Sequence, residues 1–277
     1  MNRVTAAATV EEIFAANRAA SRIALAVKSA AGMTRRARVL EEGALRVRCP
    51  GQPAPQLEAI IINTAGGMAG GDRFAVDVAV EDDARLTVTT AAAEKIYRTL
   101  GPNTTINVTV AVAAGGELAW LPQETIVFDR ARLRRTIDVE LADDARLVLA
   151  EAIVFGRAGM GERIEAGSLF DRWRIRRGGR LIHAAAAGLD GAVTRRLAEP
   201  AVANGGVAAA TVVLAPGGEA AVGVVRALSF HGEVGASAWN GIAVIRLVAA
   251  DGAILRADLA AVAKAVCPTA LPRLWLT

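Results

Sequence analysis

Cysteine is nearly absent from this 277-residue chain: Cys49 and Cys267 lie far apart and form no C-x-x-C pair. That excludes a readable disulfide framework or zinc knuckle and fits a reducing compartment, the cytoplasm. Histidine is equally scarce, at His183 and His231 only. A permanent transition-metal site would have to lean on Asp, Glu or Cys, a weak set for borderline metals without thiolates, so no tightly bound cofactor is expected. Lysine occurs only at 28, 95 and 264, and 32 basic against 28 acidic residues leave a net charge of +4. That is too little for the concentrated basic face that nucleic acid requires. Long apolar runs are missing too. The longest uncharged stretch, 201–218, contains Asn204, four glycines and Pro216, which disqualifies it as a membrane span. The short apolar stretch near the start is cut by Glu11 and Glu12 and fails as a secretory signal.

What is present is apolar content, 53%, enough for a sizeable core. Most of it alternates with period 2. Residues 21–39 read as a hairpin around "SAAG", and "ALRVRC" and "QLEAIIIN" as a second strand pair joined by the proline-rich "PGQPAP". Val76, Val78 and Val80 share a face before Asp82-Asp83 turns the chain, and the pattern recurs around Gly115-Gly116, Asp143-Asp144 and Gly178-Gly179. These turns are 33, 28 and 35 residues apart, which suggests successive hairpin layers without proving a repeat. Past residue 200 the period changes. Ala221, Val225 and Leu228, then Leu255, Leu259, Val262 and Val266, follow helical spacing, the second set stopping before Pro268. The expected fold is mostly β, a coiled or layered β-superhelix of successive hairpins with two helices in the C-terminal region. A single domain is expected over 1–277, with residues 1–20 set apart as disordered.

The stretch "NTAGGMAGGDRF" is the most unusual. A Walker loop would end in Gly-Lys-Ser/Thr, and a dinucleotide fingerprint would open a helix, whereas here Gly-Asp-Arg leads into the strand "FAVDVAV". The glycines are better read as turns or close backbone approaches between layers; a phosphate-binding enzyme is the alternative. No serine sits in a G-x-S-x-G elbow. Arg172, Arg174 and Arg176 share one strand face opposite Trp173 and Ile175, a solvated outer face or the site of an acidic partner. Tyr97, the only tyrosine, and Gln123 with Glu124 lie in irregular connections that neither propensity nor periodicity explains.

Those unexplained segments carry a resemblance. In order, "GMTRRARVLEEGALRVRCP", "NTAGGMAGGDRF", "LTVTTAAAEKIYRTLG", "ELAWLPQETIVFDRARL", "EAIVFGRAGMGERIEAGSL" and "LPRLWLT" resemble the urease accessory protein D family, UreD or UreH, over nearly the whole chain after residue 20. The resemblance implies a mostly β superhelix and a non-enzymatic scaffold, one that bridges apo-urease and UreF and acts with the GTPase UreG to load nickel. It also implies a tunnel as the proposed nickel route. Asp72 matches the acidic residue closing the family's Gly-Gly-x-x-Gly-Gly-Asp motif and is the candidate for a transient nickel contact, since a hard oxygen ligand holds nickel loosely. Equally, it could cap backbone amides or pair with Arg73. Glu94, Tyr97 and Arg98 match the family's Lys-Phe-Tyr-Arg-Ser segment, with Ile96 replacing Phe, and Gln123 and Glu124 match Leu-Pro-Gln-(acidic). These are the candidates to line the interior or meet a partner. Some members place a carboxylate where Ala184 or Ala185 stands here; His183 is a candidate stand-in.

Overall fold

The computed structural model describes residues 17–52, 54–99, 101–268 and 271–275. Of the residues expected to be disordered, 1–16 lie outside that set, and Ala20 already opens the first strand.

Two stacked sheets wind into a coil of about four turns. In the first, β1 (Ala20–Ala30), β5 (Arg73–Val80), β8 (Thr104–Val112), β11 (Arg132–Leu141) and β13 (Ser168–Arg177) are parallel neighbours. β2 (Met33–Glu42) and β14 (Arg180–Asp190) flank them antiparallel as the two edges. In the second, β4 (Gln56–Asn63), β6 (Arg85–Thr90), β9 (Glu117–Trp120) and β12 (Arg146–Phe155) are parallel. β3 (Leu45–Arg48) edges one side of it; β15 (Ala208–Ala215), β17 (Ile242–Ala249) and β16 (Glu233–Trp239) extend the other antiparallel.

The anticipated pairs β1–β2, β3–β4 and β13–β14 are antiparallel neighbours. The turns at Asp82, Gly115 and Asp143 are built differently from hairpins. Each crosses from the first sheet to the second, so β5 bonds to β1 and β8 and never to β6. Alternation and turn residues are the same for an arch as for a hairpin; partner choice is what differs. In-register stacking decides it here. Ile23, Val76, Val108, Ile137 and Trp173 form one inward column, and Leu25, Val78, Val110, Val139 and Ile175 the next, all buried. Each buried aliphatic side chain contributes about 1.5–3 kcal/mol, and the parallel register keeps every one on the core side.

The anticipated helices are α2 (Glu219–Arg226) and α3 (Gly252–Val266), joined by a short α1 (Val193–Leu197) that periodicity could not reveal in five residues. Asp251 caps α3 by accepting from the Ile254 amide at 2.8 Å. Leu255, Leu259 and Val262 pack into a second core with the outward residues Val148, Ala150 and Ala152 of β12. Because Leu147 and Leu149 of the same strand face the coil interior, β12 is buried on both faces and reads as an almost unbroken apolar run.

Candidate functional site

A third, narrow ladder runs along one corner of the coil. β7 (Glu94–Ile96) and β10 (Thr125–Val127) pair in parallel, β10 pairs in turn with the end of β12, and Met68 bridges to Ile96. Met68, Ile96, Val127 and Phe155 therefore stack as equivalent positions of successive turns. Four of the six segments that carry the family resemblance thus meet at one corner, repeated. They adjoin in space because each is the same bend of the coil.

The glycine loop is the first rung of that corner. A Cβ on Gly67 would lie 2.5 Å from the Tyr97 ring, and one on Gly70 would run into the Thr99 hydroxyl and come within 2.7 Å of the Pro102 carbonyl. Gly66 and Gly71 have φ of 74° and 90°. Tyr97 lies over the loop, its hydroxyl donating to the Gly66 carbonyl at 3.1 Å and its ring edge-on to Phe128 at 5.3 Å. Most of the loop's amides are already committed: Gly66, Met68, Gly71 and Asp72 donate to backbone carbonyls and Ala69 to Asp72. It offers no row of free N–H groups to a phosphate, and close packing accounts for its composition.

Asp72 is buried. Its Oδ1 accepts from the Ala19 amide at 2.8 Å and its Oδ2 from the Ala69 amide at 2.7 Å, so it ties the start of β1 to the glycine loop. Glu94 is half-buried; its Oε2 accepts from Asn63 Nδ2 at 2.9 Å, and burial raises its carboxyl above the ordinary range despite that bond. Gln123 is buried and donates to the Leu274 carbonyl at 2.9 Å, while Glu124 pairs with Arg256 at 3.2 Å. Together with Trp275, which donates to the Leu121 carbonyl at 2.9 Å and lies under Arg256, they clamp the C-terminal segment onto the corner. Arg98 is exposed, bridging to Ala131. His183 is buried against Trp239 at 6.0 Å with Nε2 unpartnered, and burial, then Arg246, lowers its pKa. Among the described residues no three of His, Cys, Asp and Glu are grouped so as to hold a metal ion.

The structure also brings together a group that residue-by-residue reading passed over. Arg135 and Asp171 are register partners on β11 and β13, and both point inward. Arg135 donates to Asp171 from Nε at 3.0 Å and from Nη2 at 2.6 Å, and from Nη1 to Glu151 across on β12. Trp120 donates to Glu151 at 2.8 Å and Trp173 to Asp171 at 3.0 Å. Burial opposes the charge on Arg135, but Asp171 and Glu151 outweigh it, so the guanidinium stays protonated; burial pushes the Glu151 carboxyl up. A signal existed. Arg135 falls on the inward phase of Leu133, Ile137 and Val139, and Glu151 on that of Leu147 and Leu149, charges where the pattern demands apolar residues.

Glu94, Gln123, Arg135 and Glu151 border one interior cavity of about 60 Å³. Gln123 and Glu124 also line an open pocket of about 720 Å³ outside it, with Arg256 and Leu274. Gln123 thus stands between the two.

A coil in which four of the distinguishing segments stack at one corner beside a few buried polar groups defines a β-solenoid. The profile described as UreD urease accessory protein matches residues 19–276. Urease accessory protein UreD of Rhodopseudomonas palustris strain BisB18 is 55% identical over 267 residues, covering 96% of each chain. The UreD of strain BisB5 is 51% identical over 278 residues, covering 100% of this chain and 98% of its own, and that of Bradyrhizobium diazoefficiens 52% over 266 residues, covering 95% and 96%. The chain belongs to the UreD family of urease accessory proteins, which gives it a role in urease maturation. Among the described residues no helix is long and apolar enough to cross a membrane.

Proposed function

We propose that this protein is a cytoplasmic, non-catalytic scaffold that joins apo-urease to UreF and UreG and supports passage of nickel into the urease active site. The observation that carries the reading is the interior corner, where Glu94 stands half-buried beside a small cavity and Gln123 separates that cavity from the outer pocket. Oxygen donors that are few, spaced apart and already hydrogen-bonded suit a cargo ion that must leave again, whereas a closed cluster would retain it. Nickel is here the cargo and no resident cofactor is proposed. Asp72 contributes through the lone pairs that Ala19 and Ala69 do not use, and Glu94 through the oxygen that Asn63 leaves free.

The test is the nickel content and activity of urease purified from cells expressing the urease gene cluster with the parent protein, without it, and with the Asp72→Ala or Glu94→Gln variant. Nickel-poor, inactive urease in the absence of the protein, and a partial loss with either folded variant, are the expected results. Equal nickel and activity with and without the protein would remove the maturation role, and full activation by both folded variants would remove the two carboxylates from the route.

A further inference from the structure

Four strands end the two sheets, and three of these edges are blunted. β2 carries Arg35, Arg36, Arg38, Glu41 and Glu42; the β3 amide of Val47 donates to the Glu41 carboxylate at 2.6 Å; and the Ala236 carbonyl of β16 accepts from Arg226 at 2.9 Å. Charges and occupied backbone groups are how sheet edges avoid unwanted pairing. β14 has neither over residues 184–189, "AAAAGL", where only β13 supplies backbone hydrogen bonds among the described residues. His183 packed against Trp239, and Leu189 against the core, hold the strand in place. The result is a fixed, unobstructed template.

Behind this edge stands a row of cations. On the solvent face of β13, Arg172 lies opposite Ala186 and Arg174 opposite Ala184, with Arg176 next along the strand. Arg172 pairs with Asp138 at 3.1 Å, but among the described residues Arg174 and Arg176 have no ion-pair partner, and their register neighbours Asp138 and Glu140 sit on β11, on the far side of the arginines from the edge. A strand added to β14 would place its outward side chains roughly 5 Å beyond the two alanines and about 10 Å from the arginine backbone. An arginine and a glutamate close that gap readily across a methyl group.

We propose that β14 is a β-augmentation site for an extended segment of a partner protein bearing acidic side chains at alternate positions. Backbone bonds to the edge supply affinity and the arginines select the charge. A second copy is disfavoured, because antiparallel pairing of two β14 edges would set both arginine rows along one continuous face. The proposal rests on the scaffold reading only for the identity of the partner, which then belongs to the urease-maturation assembly.

The test uses the full chain and a seven-residue peptide, Thr-Glu-Val-Glu-Thr-Glu-Val with blocked ends, followed by fluorescence anisotropy and by hydrogen exchange. Binding at or below about 1 mM, with amides of 184–189 protected, is expected. Arg174→Glu with Arg176→Glu should weaken it about tenfold and added salt should weaken it further, while Arg35→Glu with Arg38→Glu on β2 should leave it unchanged. The same peptide N-methylated at alternate residues, on the edge that would pair, should not bind. No protection of 184–189 at saturating peptide, equal binding of the peptide with Lys for Glu, or protection that grows with protein concentration alone would each overturn the proposal. None of these readouts involves urease, so failure here is distinct from failure of the maturation role.

Discussion

At the scale of single residues, the decisive features are charges placed on the apolar phase of strands. Removing Arg135 from the Arg135–Glu151–Asp171 group leaves two carboxylates buried without compensation. Arg135→Met should therefore lower unfolding free energy by about 3–5 kcal/mol, measured by denaturant titration, whereas the triple change Arg135→Met, Glu151→Leu, Asp171→Leu should recover most of it; an unchanged Arg135→Met midpoint would show the cluster to be solvated. Glu94 makes a pH-dependent contribution. Burial raises its folded-state pKa above the unfolded value, so the folded state binds the proton more tightly, and stability is greatest below the unfolded pKa and falls as pH rises through the folded one. Glu94→Gln, which can still accept from Asn63, should flatten the stability profile above about pH 4.3, read from melting temperatures across pH 4 to 8. These charges were legible as exceptions to alternation, but the identity of their partners was not, since Arg135 and Asp171 are 36 residues apart.

At the scale of elements, the glycine loop illustrates what close packing imposes. Gly70→Ala drives a methyl into Thr99 and the Pro102 carbonyl and should cost about 1–3 kcal/mol. Gly66 has open space around its Cβ position and a positive φ, so Gly66→Ala should cost about 1 kcal/mol through backbone strain alone. Thr99→Ala should rescue part of the first substitution and none of the second, a double-mutant cycle that chemical denaturation can read. The helices needed less from tertiary context. Their spacing and stop at Pro268 were evident, and Asp251→Ala should lower stability by about 1 kcal/mol through loss of the α3 cap.

At the scale of the whole molecule, the coil makes stability a nearest-neighbour property, because each turn touches mainly the turns before and after it. Strands β5, β8 and β11, flanked on both sides, should exchange their amides slowest, and β14, bonded on one side, should exchange among the fastest of the long strands. A uniform exchange rate across the first sheet would contradict this. The same asymmetry is what leaves β14 available to a partner.

Alternation, turn residues and the late helical period determined by themselves that this chain is a mostly β coil with helices near its C-terminus, because side-chain period and turn conformation are local properties of a few neighbouring residues. Tertiary structure alone decided the strand pairings beyond the local hairpins, that the turns at Asp82, Gly115 and Asp143 are arches, that four of the distinguishing segments meet at one corner, and that the inward charges find one another. Pairing depends on which of several equivalent alternating segments stacks best in register, a comparison between distant parts of the chain that no local window contains.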